Sequence, residues 1–288
     1  MRWRVLNPLS ATGFLLPDGC GRGRDLLLDM QGSKDTLAAS LACVGSAPER
    51  ISHVFLTHFH SDHFSISDAL ALARHGTRIY LGSASLAAAK EYYAREQDAA
   101  VLAAYHKLER ADVLTLLPAI GSMDLDGVSV CWAAFPHGDG ASACENLAFR
   151  FDDHLFSGDA PVNALLDPAA PGSAALWDGV RVLCVNVAQL SRAQIGTLTD
   201  LPARRVRNYL ENHGILEDLL AAVEAPRYAR LFSNLEMIVP HHLRRMPLEE
   251  TAAIIRQRLE ETARKMGYRF TVCFPGADGI FNSLAPFR

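Results

Sequence analysis

An α/β fold is predicted for this chain, and three observations carry the prediction. Short β-type apolar runs alternate with amphipathic stretches of helical period from residue 25 onward. Apolar residues make up 49% of the 288 positions and charged residues 21%, an ordinary globular balance with enough chain to bury a substantial core. Coordinating side chains fall directly after several of the apolar runs, at strand ends where α/β folds place chemistry.

Taken in order, DLLLD (25–29) is a short strand closed by Asp29 and Gly32. Ser33 can cap a helix with Leu37, Leu41 and Val44 on its apolar face and Gly45 at its end. ISHVFLT (51–57) is β-rich; ISDALALARHG (66–76) reads as a helix ending at Gly76; TRIYLG (77–82) reads as a strand; Ser83 opens a further helix through ASLAAAKEYYAR. Strands follow at GVSVCWAAF (127–135), NLAFRF (146–151), HLFSGD (154–159), VRVLCVNV (180–187) and LEMIV (235–239). Residues 247–267 form a strong helix, with Pro247 in the first turn, an apolar stripe at Leu248, Ala252, Ile255, Leu259 and Ala263, and Gly267 as its stop. YRFTVCF (268–274) is the last predicted strand. The reading is one domain over residues 1–288, with 188–233, helical or irregular, as an inserted or cap segment.

The formal net charge of -4 leaves no global field that would recruit nucleic acid or an anionic membrane. The start does not read as a signal peptide, and no window holds eighteen uncharged apolar residues, so no membrane span is predicted. The six cysteines lie far apart without a C-x-x-C pair, as scattered reduced thiols of a cytoplasmic protein do.

The richest stretch is FLTHFHSDH (55–63). Imidazole and carboxylate are good ligands for zinc and other first-row divalent ions. His58 and His60, two apart, can face the same way on extended chain and hold one ion, while Asp62 and His63 at the turn hold a neighbour. Later strand ends offer the remaining donors: His137 after GVSVCWAAF, Asp159 in SGD after HLF, and His241 or His242 after LEMIV. His241, the first residue after the strand and proline, is the preferred choice. One ion would then take His58, His60 and His137, the other Asp62, His63 and His241, with Asp159 between them.

This H-x-H-x-D-H signature, the later histidine, the SGD strand end and the final strand-histidine resemble the metallo-β-lactamase superfamily across roughly residues 1–245. The resemblance implies an αββα sandwich with a dinuclear site at one edge and a metal-bridging hydroxide as the attacking group. PHGDGASACENLAFRFDDHLFSGDAP and the opening LSATGFLLPDG…DLLLDMQG look most like the branch of ribonuclease Z and small cyclic-nucleotide phosphodiesterases. Glyoxalase II-like glycine patterns are absent, no cysteine stands at the Asp159 position, and flavodiiron proteins carry glutamate where His60 stands. Within that branch the acidic H-E-A-T-like stretch is replaced by CVNVAQL (184–190), and a leaving-group histidine of the G-H-S/T type has its nearest match at His213 in ENHGILED.

The expected activity is therefore that of a metal-dependent hydrolase, a phosphodiesterase on a small nucleotide or RNA end, with Asp62 and His213 as catalytic candidates and His213 as general acid. Two divalent ions are the expected cofactors, zinc foremost, with manganese and iron as alternatives. Competing readings are hydrolysis of a lactone, thioester or amide by the same ligands, a mononuclear iron persulfide-type dioxygenase using His58, His137 and Asp159, and a metal-binding scaffold without catalysis. Arg204, Arg205 and Arg207, and Arg244 and Arg245, read first as solvated surface and second as phosphate grips. His53, His75, His106 and His154 read as structural or exposed. Expected partners are a small-molecule or nucleotide substrate; no membrane contact or extended nucleic-acid surface is predicted, and a homodimer is compatible with the resemblance.

Overall fold

The computed structural model describes residues 2–6, 13–19, 21, 23–30, 36–193, 213–243, 248–274 and 280–282. Two seven-stranded sheets face one another. The first contains β1 (Arg2–Val5), β2 (Phe14–Leu16), β3 (Asp25–Leu28), β4 (Ile51–Leu56), β5 (Arg78–Gly82) and β6 (Leu114–Leu117), with β14 (Ile280–Asn282) beside β1 at the far edge. The second contains β7 (Ile120–Leu125), β8 (Val128–His137), β9 (Cys144–Phe151), β10 (His154–Phe156), β11 (Val182–Asn186), β12 (Met237–His241) and β13 (Thr271–Val272), in that spatial order.

Strand alternation sorts the side chains into three apolar layers. From β4, Phe55 enters the space between the sheets, joining Trp3, Phe149, Phe151 and Phe156. Its neighbours Val54 and Leu56 face outward. There they are covered by α1 (Leu37–Cys43), α2 (Ile66–Arg74), α3 (Ser83–Arg95) and α4 (Ala99–Glu109), through Leu41, Leu72, Leu86 and Tyr105. From β11, Cys184 faces inward and Leu183 and Val185 face outward. That outer layer is closed by α5 (Val162–Leu165), α6 (Ser173–Trp177), α7 (Leu216–Glu224), α8 (Ala229–Asn234) and α9 (Leu248–Met266). The result is the αββα sandwich.

Local chemistry fixes several ends. Thr36, Ser65 and Asp98 accept the N–H groups of Ala39, Asp68 and Val101 as caps of α1, α2 and α4. Thus α1 begins at Leu37, later than a start at Ser33 would place it, and Ser33 lies outside the described residues. The last predicted strand shrinks to Thr271–Val272, because β12 offers it pairing at only two positions. Strands β1, β2, β6, β7 and β14 and helices α4, α5 and α6 are additions to the elements expected from sequence. The β7–β8 hairpin turns on Asp126 and Gly127, both at positive φ, the Asp-Gly signature of a two-residue turn.

Strands β3, β4, β10, β11 and β12 end on the same rim. One backbone bond crosses between the sheets there, from Leu147 N–H to Thr57 O. Another, from Val187 N–H to His241 O, carries the β11–β12 pairing past the end of β11. Of the predicted insert, residues 194–212 lie outside the described residues, as do Arg204, Arg205, Arg207, Arg244 and Arg245.

Candidate metal centre

β4 runs directly into Thr57 and His58, and the chain then turns through His60–His63. His63 N–H returns to His60 O, and Met30 N–H donates to His63 O, so the turn is clamped to the end of β3. β8 delivers His137 as its final residue, β10 leads through Ser157 and Gly158 to Asp159, and β12 ends at His241 with His242 next.

Asp159 is buried, and its two carboxylate oxygens divide the surrounding imidazoles. Oδ2 lies 3.5 Å from His137 Nε2, 3.5 Å from His213 Nε2 and 4.0 Å from His58 Nε2. Oδ1 lies 3.2 Å from His63 Nε2 and 3.6 Å from His242 Nδ1. Potential ligand atoms of His58, His60 and His137 all fall within 4.8 Å of one another. The same holds for His58, His63 and Asp159, for Asp62, His63 and His242, and for His137, Asp159 and His213. The donor groups overlap through shared residues, which is the arrangement of two adjacent ion positions with a carboxylate between them.

Outer contacts set which nitrogen faces inward. The Thr57 hydroxyl donates to Asp29 Oδ2 (2.8 Å), so its oxygen can accept from His58 Nδ1 (3.0 Å), which leaves the lone pair of that ring on Nε2. That His58 Nε2 is buried and makes no hydrogen bond. A buried imidazole nitrogen without a partner is an unusual cost, and a bound cation satisfies it. His63 Nδ1 is held by Asp29 Oδ2 at 2.8 Å, leaving Nε2 toward Asp159. His60 Nε2 donates to Ser142 O at 2.9 Å, leaving Nδ1 as its acceptor. These features fit divalent ions.

The electrostatics agree. Burial, reinforced by His63, His60 and His137, holds His58 well below the ordinary histidine range. Burial also lowers His60 and brings His137 to about 3. All three are neutral, the form in which imidazole ligates. Burial works against charge on His63 as well, but Asp159 and Asp29 overcome it and raise that histidine. Asp159 is likewise penalised by burial, yet His242, His63 and His213 hold it well below the usual carboxylate range.

The predicted residues His58, His60, Asp62, His63, His137, Asp159 and His213 are brought together. His241 is not among these donor groups: its ring packs edge-on against Phe14 at 5.6 Å and its Nε2 is 3.4 Å from Ser157 Oγ. The structure puts His242 in the place predicted for His241. His242 has φ 65, and that left-handed turn at the strand end carries its ring over the site, stacked on His213 with centroids 5.4 Å apart. His53, His75, His106 and His154 take other partners, Tyr80, Glu49, Glu109 and Asp153. Sequence reasoning missed Asp29, Thr57, Asn146 and Asn186 as orienting residues. Asp29 had a visible signal, an acid closing the strand beside the histidine strand; the others had none.

The family model of the metallo-beta-lactamase superfamily matches residues 19–181, more than half of the chain. The chain belongs to the metallo-β-lactamase superfamily. Among curated protein sequences none matches significantly. Solved structures of similar fold include unliganded yeast PDE1, with TM-score 0.61 and 12% identity over 95% of this chain and 96% of that one. Human tRNase Z, short form, gives TM-score 0.52 and 14% identity over 85% and 93% of the two chains. CmlA, a diiron β-hydroxylase from Streptomyces venezuelae, gives 0.55 and 15% over 94% of this chain and 52% of that one. At these identities the likeness is one of fold.

The ion-free protein carries a pH signature. His137 and His241 are both held at about 3 by burial, against 6.5 unperturbed. Between those values the unfolded chain binds the extra protons, so the contribution of these two histidines is full above 6.5 and falls as pH drops. The expected slope is about 1.4 kcal/mol per pH unit for each such histidine. Urea denaturation of chelator-treated protein at pH 7, 6 and 5 measures it; a flat profile contradicts the burial of neutral imidazoles.

Proposed function

We propose that this superfamily member is a metal-dependent phosphodiesterase acting on a small nucleotide or an RNA end. The observation that carries the reading is His213 Nε2, 3.5 Å from Asp159 Oδ2, beside a donor set already sufficient for two ions. The proposed ligands are His58, His60 and His137 for one ion and Asp62, His63 and His242 for the other, with Asp159 shared. His242 is assigned in preference to His241 on geometry alone.

When bound, a pair of divalent ions supplies a water acidic enough to ionise near neutral pH and positive charge for the transition state. Only two carboxylates stand among the donors, so two ions leave a net charge of about +2, which attracts an anionic substrate. The chain's own residues do the rest. Thr57 and Asp29 lock the imidazoles His58 and His63 in their ligating tautomers. Asp62, half-buried at the rim, is the residue we assign to orienting the attacking water. His213 Nε2 carries the proton delivered to the leaving oxygen. Zinc is the ion assigned; manganese and iron use the same donors. Among the described residues no helix is long and apolar enough to cross a membrane. The five described cysteines are free, which supports a reducing, cytoplasmic setting.

The test is elemental analysis of the purified chain with turnover of bis(p-nitrophenyl) phosphate and of an unactivated diester such as a cyclic nucleotide. Two ions and metal-dependent cleavage are expected. His213→Ala should retain both ions and lose turnover on the unactivated diester on the order of 10²-fold or more, because an alkoxide needs the proton. The loss on p-nitrophenyl ester should be smaller. If His213→Ala loses an ion instead, the histidine is a ligand and the acid role falls. Two ions with lactone or thioester turnover alone, or a single iron, would replace the phosphodiesterase by one of the competing readings.

A further inference from the structure

His213 and Asp159 share a supporting side chain. Asn186 ends β11, between the strands that lead to Asp159 and His242, and is 1% exposed. Its backbone N–H donates to Ser157 Oγ at 2.9 Å. Its carboxamide N–H donates to Asp159 Oδ1 at 2.8 Å, and its carboxamide oxygen accepts the Gly214 N–H at 2.9 Å. The chain around His213 is thereby laid along an extension of β11. Ala188 N–H bonds Gly214 O at 2.8 Å, and Leu216 N–H bonds Gln189 O at 2.9 Å. The approach is so close that a Cβ on Gly214 would stand 1.7 Å from the Asn186 backbone oxygen, so only glycine fits after His213.

The two ends of this carboxamide are chemically different, and the site needs both. Asp159 Oδ1 accepts from the carboxamide and so requires a donor there. The Gly214 N–H requires an acceptor. Aspartate supplies only the acceptor, and leucine, of similar size, supplies neither. We propose that Asn186 is a positioning residue that fixes His213 relative to the Asp159 carboxylate, so that one side chain sets both the proton donor and the shared ligand. This rests on the reading of His213 as the leaving-group acid.

Asn186→Leu and Asn186→Asp test it in the full chain. In ion-free protein, amide hydrogen exchange at Gly214 should be slow in the parent, slow in Asn186→Asp, and faster by roughly fivefold or more in Asn186→Leu. Competition with a chelator should show zinc held about 10- to 100-fold more weakly by Asn186→Leu, the scale of losing an outer partner of a ligand. With zinc saturating, turnover of the unactivated diester should fall in Asn186→Leu, and that substitution should slow His213→Ala by less than it slows the parent. Parent-like Gly214 exchange in Asn186→Leu, lost protection in Asn186→Asp, or effects of the two substitutions that multiply would each overturn the proposal. If the parent binds no ion and cleaves no diester, the phosphodiesterase reading fails, and the exchange data still decide whether Asn186 holds the His213 loop.

Discussion

Asp159→Asn should strip the chain of its ions while leaving it folded. The backbone around Asp159 is held by neutral partners that do not depend on its charge. Asn146 Oδ1 accepts the Asp159 N–H at 2.9 Å, and Asn146 Nδ2 donates to Ser157 O at 2.9 Å. Gly158, at φ 54, makes the bend, and a Cβ there would meet Asn146 Oδ1 at 2.3 Å. The lesion is then electrostatic: an amide replaces the anion that faces His63 and His242 through one oxygen and His58, His137 and His213 through the other. Elemental analysis should find less than one ion per chain. Turnover should drop on the order of 10³-fold, the scale of removing one preorganised electrostatic group. The parent should also melt higher with ions than without, because an ion at a thousand times its Kd contributes about 4 kcal/mol. For a chain of this size that is on the order of 10 °C, and the substituted chain should lose the difference. Two tightly held ions in Asp159→Asn would refute the shared carboxylate.

The residues that make this expectation possible were unequally legible in sequence. The histidine turn announced itself because four coordinating side chains follow one apolar strand, and His137 and Asp159 could be named because each closes another. The αββα layering followed from the resemblance, while alternation alone gave only an α/β domain. What stayed hidden depended on contacts between distant segments. Asp29 and Thr57 are 28 positions apart and meet only because β3 and β4 are neighbours. Asn186 looks like an ordinary strand-end amide until Gly214 arrives beside it. β6, a half-exposed edge, carried a usable signal in the apolar run LTLL closed by Pro118, and β7 carried one in the Asp126–Gly127 turn.

The pair His241 and His242 gives the sharpest separation of a ligand from its neighbour. Period-two alternation places His241 with Met237 and Val239, both of which enter the space between the sheets. Its ring accordingly sits against Phe14, where burial keeps it neutral, at about 3. His242 leaves the strand through a left-handed residue and so escapes that parity, reaching Asp159 Oδ1 at 3.6 Å and stacking on His213. His242→Ala should therefore reduce the ion content from two to one and cut turnover on the order of 10²-fold or more. His241→Leu should keep both ions. It should also flatten the acid loss of stability, because the unfolded chain no longer gains a proton there as pH falls below 6.5; the relief is about 1.4 kcal/mol per pH unit. Ion analysis and denaturation at pH 5 on both variants decide the matter. If His241→Leu loses an ion and His242→Ala does not, the strand-end turn has been misassigned and the ligand is the residue still on the strand.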